Sequence, residues 1–453
     1  MANLSKLYGN APADHSGHAE CVIATYPQKF RYTDTHGWFF YTGKFWDNEG
    51  GHVQVRQAIR DVLRKRQAIA QGRNDQKLFN KSNADHWTIN GVIGVLATWP
   101  DVFTTIDEFD DAPHLLNLSN CVLDLRTMVP SPHMPTDTFT YCLDIPWEYD
   151  ADQTLWLEFL DSCGHKPEVL DFLKQFFGYC LTGFTSEEVL VYFRGKSRSG
   201  KGVMTETFAK LLGPLAQGVN FRMFTADRSG DTQNFDMAPL KSKRFIVAGE
   251  QNRKDGLNEA VIKMITGGDQ VYCAFKHKNH FSYRPQYKVV LTSNHYAWAD
   301  AADDAVWGRL RVVPFEKSFL GREDKTLKQR LTSPDALKGV LAWAVEGAYK
   351  WAQLGRLPYP KDMQHELGLN RQNTSTVMSF VQDECTIDPA AQTKITDLYT
   401  DYVGYCKLEG YKELGRIRFK EEMATIYNFH EQRKAHPSPG GSMQRVFIGI
   451  RKN

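Results

Sequence analysis

Short runs of consecutive apolar, often β-branched residues recur through the middle of the chain. They are residues 189–193 (VLVYF), 244–248 (RFIVA), 287–292 (YKVVLT) and 310–315 (LRVVPF). Each is too short for a helix and is apolar at successive rather than alternate positions, which predicts strands buried on both faces, as in a parallel sheet covered by helices. Helical spacing surrounds them. Residues 153–183 place Leu155, Phe159 and Leu160, then Val169, Phe172, Leu173, Phe176 and Phe177, on helix faces, and 334–353 reads the same way. The first third differs. Residues 30–46 (FRYTDTHGWFFYTGKFW) alternate around His36-Gly37 and Thr42-Gly43, which predicts an antiparallel hairpin unit. Helices are expected at 53–71 and 86–99, and a strand pair at 115–125. Beyond 357 the pattern predicts helix over 376–410 and 416–429, a turn at Pro437, Pro439, Gly440 and Gly441, and a final strand at 444–450. That order is the outline of a winged helix. Proline-rich stretches near 130–146 and at Pro358 and Pro360 divide the chain into 1–150, 151–357 and 358–453.

Composition narrows the class. The 453 residues are 42% apolar and 24% charged, which describes a globular chain, and no stretch approaches the length of a membrane span. The first twenty residues lack the apolar core of a signal peptide. Eight scattered cysteines without a CxxC pair suit free thiols in a reducing cytoplasm. The His15-x2-His18-x2-Cys21 string has no second ligand cluster to complete a metal site, and is expected to lie in a disordered N-terminal arm. Net charge is only +2, but ten Lys/Arg face five Asp/Glu between Lys407 and Asn453, so a polyanion can still be steered locally.

The chemistry concentrates at Gly195, Lys196, Ser197, Arg198, Ser199, Gly200, Lys201 and Gly202. This GKSRSGKG string stands between an apolar strand and a helix start, the order a phosphate-binding loop requires. Its backbone N–H groups would point at the phosphates, and Lys201 would reach the β/γ oxygens. ATP with Mg²⁺ is the expected ligand. Gly202 stands where a Ser or Thr hydroxyl normally meets the metal, leaving water, Thr205 or Ser199 as alternatives.

Three further positions fit a nucleotide hydrolase. Glu250 follows RFIVAG and would hold the metal or orient the attacking water. Asn294 closes VVLTSN and would sense the γ-phosphate. Arg309, with Arg311 in reserve, would spread transition-state charge, donated by a neighbouring subunit. Between them, Gly267-Gly268-Asp269 and the alternation that follows predict a hairpin whose tip carries Lys276, His277 and Lys278, cations placed to contact DNA phosphates.

In this order, GKSRSGKG, RFIVAGE, IKMITGGD with its basic hairpin, VVLTSN and WGRLRVVPF resemble the motif set of superfamily 3 helicases, in the poxvirus and phage/plasmid primase-helicase branch. LLNLSNCVLDLRT is similar to the domain that precedes them. The resemblance implies an α/β fold: a P-loop, AAA+-like parallel-sheet ATPase core between a mixed α+β N-terminal domain and a winged-helix-like C-terminal domain. It implies Lys201 as the P-loop lysine, Glu250 as the Walker B acid and metal ligand, Asn294 as sensor 1, Arg309 as the arginine finger, and Lys276 and Lys278 in a DNA channel. It also implies a homo-oligomer, usually a hexamer, moving on single-stranded or forked DNA without a membrane, alongside a primase or polymerase. The first 150 residues carry no carboxylate set for nucleotide addition, so the expectation is a helicase alone or part of a longer protein. Another P-loop motor, such as a packaging ATPase, or a non-enzymatic DNA-binding initiator are the rival readings.

Overall fold

The computed structural model describes residues 2–225, 237–249, 257–274, 280–297, 304–409, 411, 413–435 and 443–453. The chain divides into two compact units, Met1–Ala151 and Asp152–Asn453.

In the first unit the aromatic alternation forms a three-stranded antiparallel sheet, Phe30–Thr33, Gly37–Tyr41 and Trp46–Asp47. A second small sheet pairs Leu115–Asn117, Val122–Asp124 and Val129–Ser131. The long helix Gly51–Gly72 buries Val55, Ile59, Val62 and Leu63 against Val22, Trp38, Ile89 and Val92. The N-terminal segment around His15, His18 and Cys21 is not the disordered arm expected. Ala2–Asn10 and His15–Thr25 are helices, the second capped by the Asp14 carboxylate accepting from the Gly17 N–H. Buried Arg66 secures them, donating to the carbonyls of Tyr8 (3.0 Å), Ala11 (2.6 Å) and Pro12 (3.0 Å) and to His18 Nδ1 (2.8 Å). Ordering of the arm thus depends on a residue 48 positions away from His18. Burial, then the Arg66 charge, lowers the His18 pKa to about 4, so the ring is neutral and its Nε2–H donates to the Lys81 carbonyl.

The second unit is built on a five-stranded parallel sheet. Its strands are β1 (Leu190–Gly195), β2 (Ala216–Asn220), β3 (Phe245–Gly249), β4 (Lys288–Ser293) and β5 (Leu310–Phe315), in the order β5-β1-β4-β3-β2. Four are the apolar runs of the sequence. Edge strand β2 (AQGVN) is polar and partly exposed, and its composition hides it. Helices α1 (Thr154–Ser162), α2 (Pro167–Leu181), α3 (Lys201–Leu212), α4 (Asp304–Arg309), α5 (Pro334–Leu354) and α6 (Lys361–Thr374) accompany the sheet. The aromatics of α2 are core, with Phe177 against Phe193, Phe208 and Trp343.

After α6 come α7 (Thr376–Glu384), β6 (Cys385–Lys394), α8 (Ile395–Glu409), α9 (Arg416–Tyr427), β7 (Glu431–Ala435) and β8 (Met443–Lys452), with sheet order β6-β8-β7. This is winged-helix order. The continuous helix expected over 376–410 is interrupted by β6. Pro389 cannot donate a helical hydrogen bond, and it falls in the register shift between Ile387 and Gln392. All eight cysteines are free. No helix among the described residues is long and apolar enough to cross a membrane.

Candidate nucleotide site

Strand β1 delivers its last residue, Gly195, directly beneath the phosphate loop. A side chain is impossible there: φ is +155°, and a Cβ would lie 2.0 Å from the Phe315 carbonyl oxygen on β5. Gly200 ends the loop at φ +96° as the cap of α3, where a Cβ would lie 3.0 Å from Cys163 Sγ at the end of α1. The first N–H groups of α3 have no intrahelical acceptors, so the loop and helix start present unpaired donors, with the positive end of the dipole, to an anion. The segment after β5 braces the loop from behind. Ser318 Oγ donates to the Ser197 carbonyl (3.0 Å) and the Phe319 N–H to the Arg198 carbonyl (2.8 Å).

Lys201 is folded back into this loop. Its Nζ donates to the carbonyls of Gly195 (2.7 Å) and Lys196 (2.8 Å), to Ser199 Oγ (3.1 Å) and to Asn294 Oδ1 (3.2 Å). Burial, with the nearby Arg194 guanidinium, lowers its pKa to about 8. Asn294, at the end of β4, also donates its amide to Ser197 Oγ (3.1 Å). Two residues 93 positions apart therefore meet at the mouth of the loop, as the parallel register of β1 and β4 requires.

Arg309 lies elsewhere. It ends α4, at the start of β5, where Leu310 pairs with Leu190, whereas Phe315 at the far end pairs with Gly195. Six residues of strand separate it from its own loop by about 20 Å. It donates to the Ala305 carbonyl (3.0 Å) and to Glu188 Oε2 (2.9 Å). Arg311, the reserve, is occupied within the fold, donating to the Gly308 carbonyl (2.7 Å) and stacking on Tyr359 at 4.3 Å. Glu250 lies outside the described residues; strand β3, which leads to it, ends with Gly249 paired to Thr292. Lys276, His277 and Lys278 also lie outside them. The antiparallel stem of their hairpin is described, with Val271 paired to Tyr283 and Ala274 to His280.

The two alternative hydroxyls for a metal are differently placed. Thr205 Oγ1 is buried and donates to the Lys201 and Gly202 carbonyls (3.1 and 3.3 Å), so it is turned back into α3. Ser199 Oγ accepts from Lys201 and keeps its own proton to donate. A Cβ at Gly202 would meet only Glu206 Oε1, at 3.6 Å. No group of three metal-binding side chains occurs among the described residues.

Several residues that frame the site carried no sequence motif. Arg194, one position before the loop, forms a partly buried pair with Glu366 of α6 (Nε–Oε1 2.5 Å), and its guanidinium lies 4.5 Å from the Tyr296 ring centroid. Asn370, fully buried, exchanges two hydrogen bonds with the Ala297 backbone, both 2.9 Å. Helix α6 thus grips both the strand entering the loop and the segment after Asn294. The charge ending the apolar run LVYFR was a visible signal; its partner, 172 residues later, was not.

Comparison with known proteins gives a consistent picture. Residues 19–164 match the family described as D5 N terminal like, and 193–309 match a family of unknown function, DUF5906. A putative helicase (L207/L206) of Acanthamoeba polyphaga mimivirus is 26% identical over 60% of this chain and 28% of its own length. Putative helicase 022R of frog virus 3 is 28% identical over 49% of this chain and 24% of its own. The putative primase C962R of African swine fever virus (strain Badajoz 1971 Vero-adapted) is 21% identical over 66% and 34%. The chain thus spans about a quarter to a third of the length of these relatives. Among solved structures, the apo C-terminal region of NrS-1 superposes with a TM-score of 0.51 at 8% identity, covering 96% of this chain and 99% of that one. That likeness is one of fold.

Proposed function

We propose that this chain, which belongs to the phage and viral primase-helicase family of superfamily 3 type, is an ATP-driven DNA helicase. It would serve replication of a phage or mobile element in the host cytoplasm, as a ring, usually a hexamer, on single-stranded or forked DNA beside a primase or polymerase. The observation that carries the reading is the meeting of Lys201 and Asn294 at 3.2 Å over a glycine-framed loop. A β5-β1-β4-β3-β2 parallel sheet holds them there.

In this mechanism the triphosphate displaces the loop carbonyls as the acceptor of Lys201. The incoming negative charge keeps that amine protonated, and the loop and α3 N–H groups hold the β/γ oxygens. Asn294 releases Ser197 and turns its amide to the γ-phosphate or the attacking water. Mg²⁺, when bound, supplies charge neutralisation at those oxygens, with Glu250, Ser199 and water as its proposed ligands. Arg309, about 20 Å from its own loop, serves the nucleotide of the adjacent protomer. Lys276, His277 and Lys278 hold a strand phosphate, and the hairpin moves with the nucleotide state.

Lys201→Ala tests the reading. DNA-stimulated ATP hydrolysis and fork unwinding should fall by at least about a hundredfold while the melting temperature stays close to the parent's. Normal unwinding by that variant would refute it.

A further inference from the structure

The first unit carries a surface that the nucleotide chemistry does not use. On helix Gly51–Gly72, His52, Arg56, Arg60 and Arg64 follow one another at four-residue intervals. Successive members are neighbours, about 6 Å apart along the axis. His52, Arg60 and Arg64 are exposed and Arg56 is half-buried; the row winds about 40° around the helix at each step, flanking the apolar face of Val55, Ile59 and Val62. Arg56 ties this row to the neighbouring helix His86–Ala97. It donates to His52 Nε2 (3.2 Å) and Asn90 Oδ1 (2.6 Å), and Asn90 is bonded to His86 Nε2 (2.7 Å). Beside His86, in the first turn, stands Trp87 with 80% of its surface exposed. A solvated indole is costly, because its apolar area gains nothing from water.

The carboxylates nearby are already engaged. Asp61 accepts from Lys65 and from the Tyr26 hydroxyl (2.8 Å), and Asp85 caps its helix through the Thr88 N–H (2.8 Å) and accepts from Asn83. Among the described residues no carboxylate is within salt-bridge distance of Arg60 or Arg64, and the Arg64 charge only adds to the Lys65 and Tyr26 contacts that lower the Asp61 carboxyl. Cations along a ridge match a row of phosphates, and an exposed aromatic face beside them matches an unstacked base, the combination that binds single strands without sequence preference. A duplex, with its bases stacked inside, could use the arginines but not the indole.

We propose that this face of the N-terminal unit is a second single-stranded-DNA contact, with Arg56, Arg60 and Arg64 on the phosphates and Trp87 stacked on a base. The proposal rests on the chain handling a single strand, as above, but not on ATP hydrolysis. It is therefore tested in the full chain without nucleotide, using a fluorescent oligothymidine of about 16 nucleotides, the upper site size of common single-strand modules. Trp87→Ala should weaken binding about tenfold at unchanged salt dependence. Arg60→Gln with Arg64→Gln should weaken it and reduce the slope of log affinity against log salt by about 1.4. A duplex of the same length should be insensitive to Trp87→Ala. Trp87, Arg60 and Arg64 are exposed, so these variants should melt with the parent. Affinities within twofold of the parent for both variants would overturn the proposal, as would a Trp87→Ala chain that changes only its sedimentation, which would make the face a contact between copies. Lys201→Ala, measured alongside, should bind the oligonucleotide normally; loss of ATPase there with these effects intact separates this contact from the catalytic reading.

Discussion

Replacing Glu366 by glutamine probes the link between α6 and the nucleotide loop. Glu366 is 4% exposed and the Arg194 side chain 18%, so their 2.5 Å pair lies between the fully buried and surface cases. Removing one partner of a buried pair costs about 3–5 kcal/mol, whereas surface pairs are worth at most about 1. Arg194 keeps its stacking on Tyr296 and some water, so about 2–3 kcal/mol is expected. For a unit of this size that is a fall in melting temperature of about 5 °C. A second effect follows from the same charge. Arg194 already depresses Lys201, and without the Glu366 carboxylate its field on that amine grows. The pH above which ATP affinity declines should then move below its parent value, near 8. The sign is set by linkage: the phosphates bind the protonated amine, so affinity is full below the Lys201 pKa and is lost as pH rises through it. Calorimetric melting and titration with a non-hydrolysable ATP analogue from about pH 6.5 to about pH 9.5 measure both. Arg194→Met combined with Glu366→Leu should recover much of the lost stability, because no unpaired charge remains. A Glu366→Gln protein that melts within about 1 °C of the parent and keeps its pH midpoint would refute the reasoning.

Gly202→Ser places a hydroxyl where a Cβ meets only Glu206 Oε1, at 3.6 Å; it should fold normally and reach half-maximal ATPase at lower Mg²⁺ than the parent, read from a magnesium titration. His18 and His165 are each held near pKa 4, both chiefly by burial, against 6.5 unfolded. The unfolded chain therefore binds the extra protons, and stability should fall as pH drops from about 6.5 towards 4, by at most about 1.4 kcal/mol per pH unit for each ring; urea melts at both ends of that window check it. Mixing inactive Arg309→Ala and Glu250→Gln subunits should restore part of the ATPase if the finger acts across an interface, and no rescue at any ratio would rule that arrangement out.

Local chemistry made much of this protein legible in its amino-acid order. The loop GKSRSGKG needs glycine at 195, where a Cβ would strike Phe315, and at 200, where φ is +96°, and lysine where helix α3 begins, and those demands are met within eight neighbouring residues. The runs that became β1, β3, β4 and β5 were apolar on both faces because each is covered on both faces, and the position of Asn294 followed from where β4 ends. Polar edge strand β2, the strand β6 within an expected helix, and the ordered first helices were decided by tertiary contacts that outweigh local preference. The pairing of Arg194 with Glu366, the grip of Asn370 on Ala297 and the return of Arg66 to His18 join residues 48 to 172 positions apart. Spacing along a chain encodes only periodicity and turns; which buried charge meets which is settled when distant elements exclude water together, and that happens only in the assembled fold.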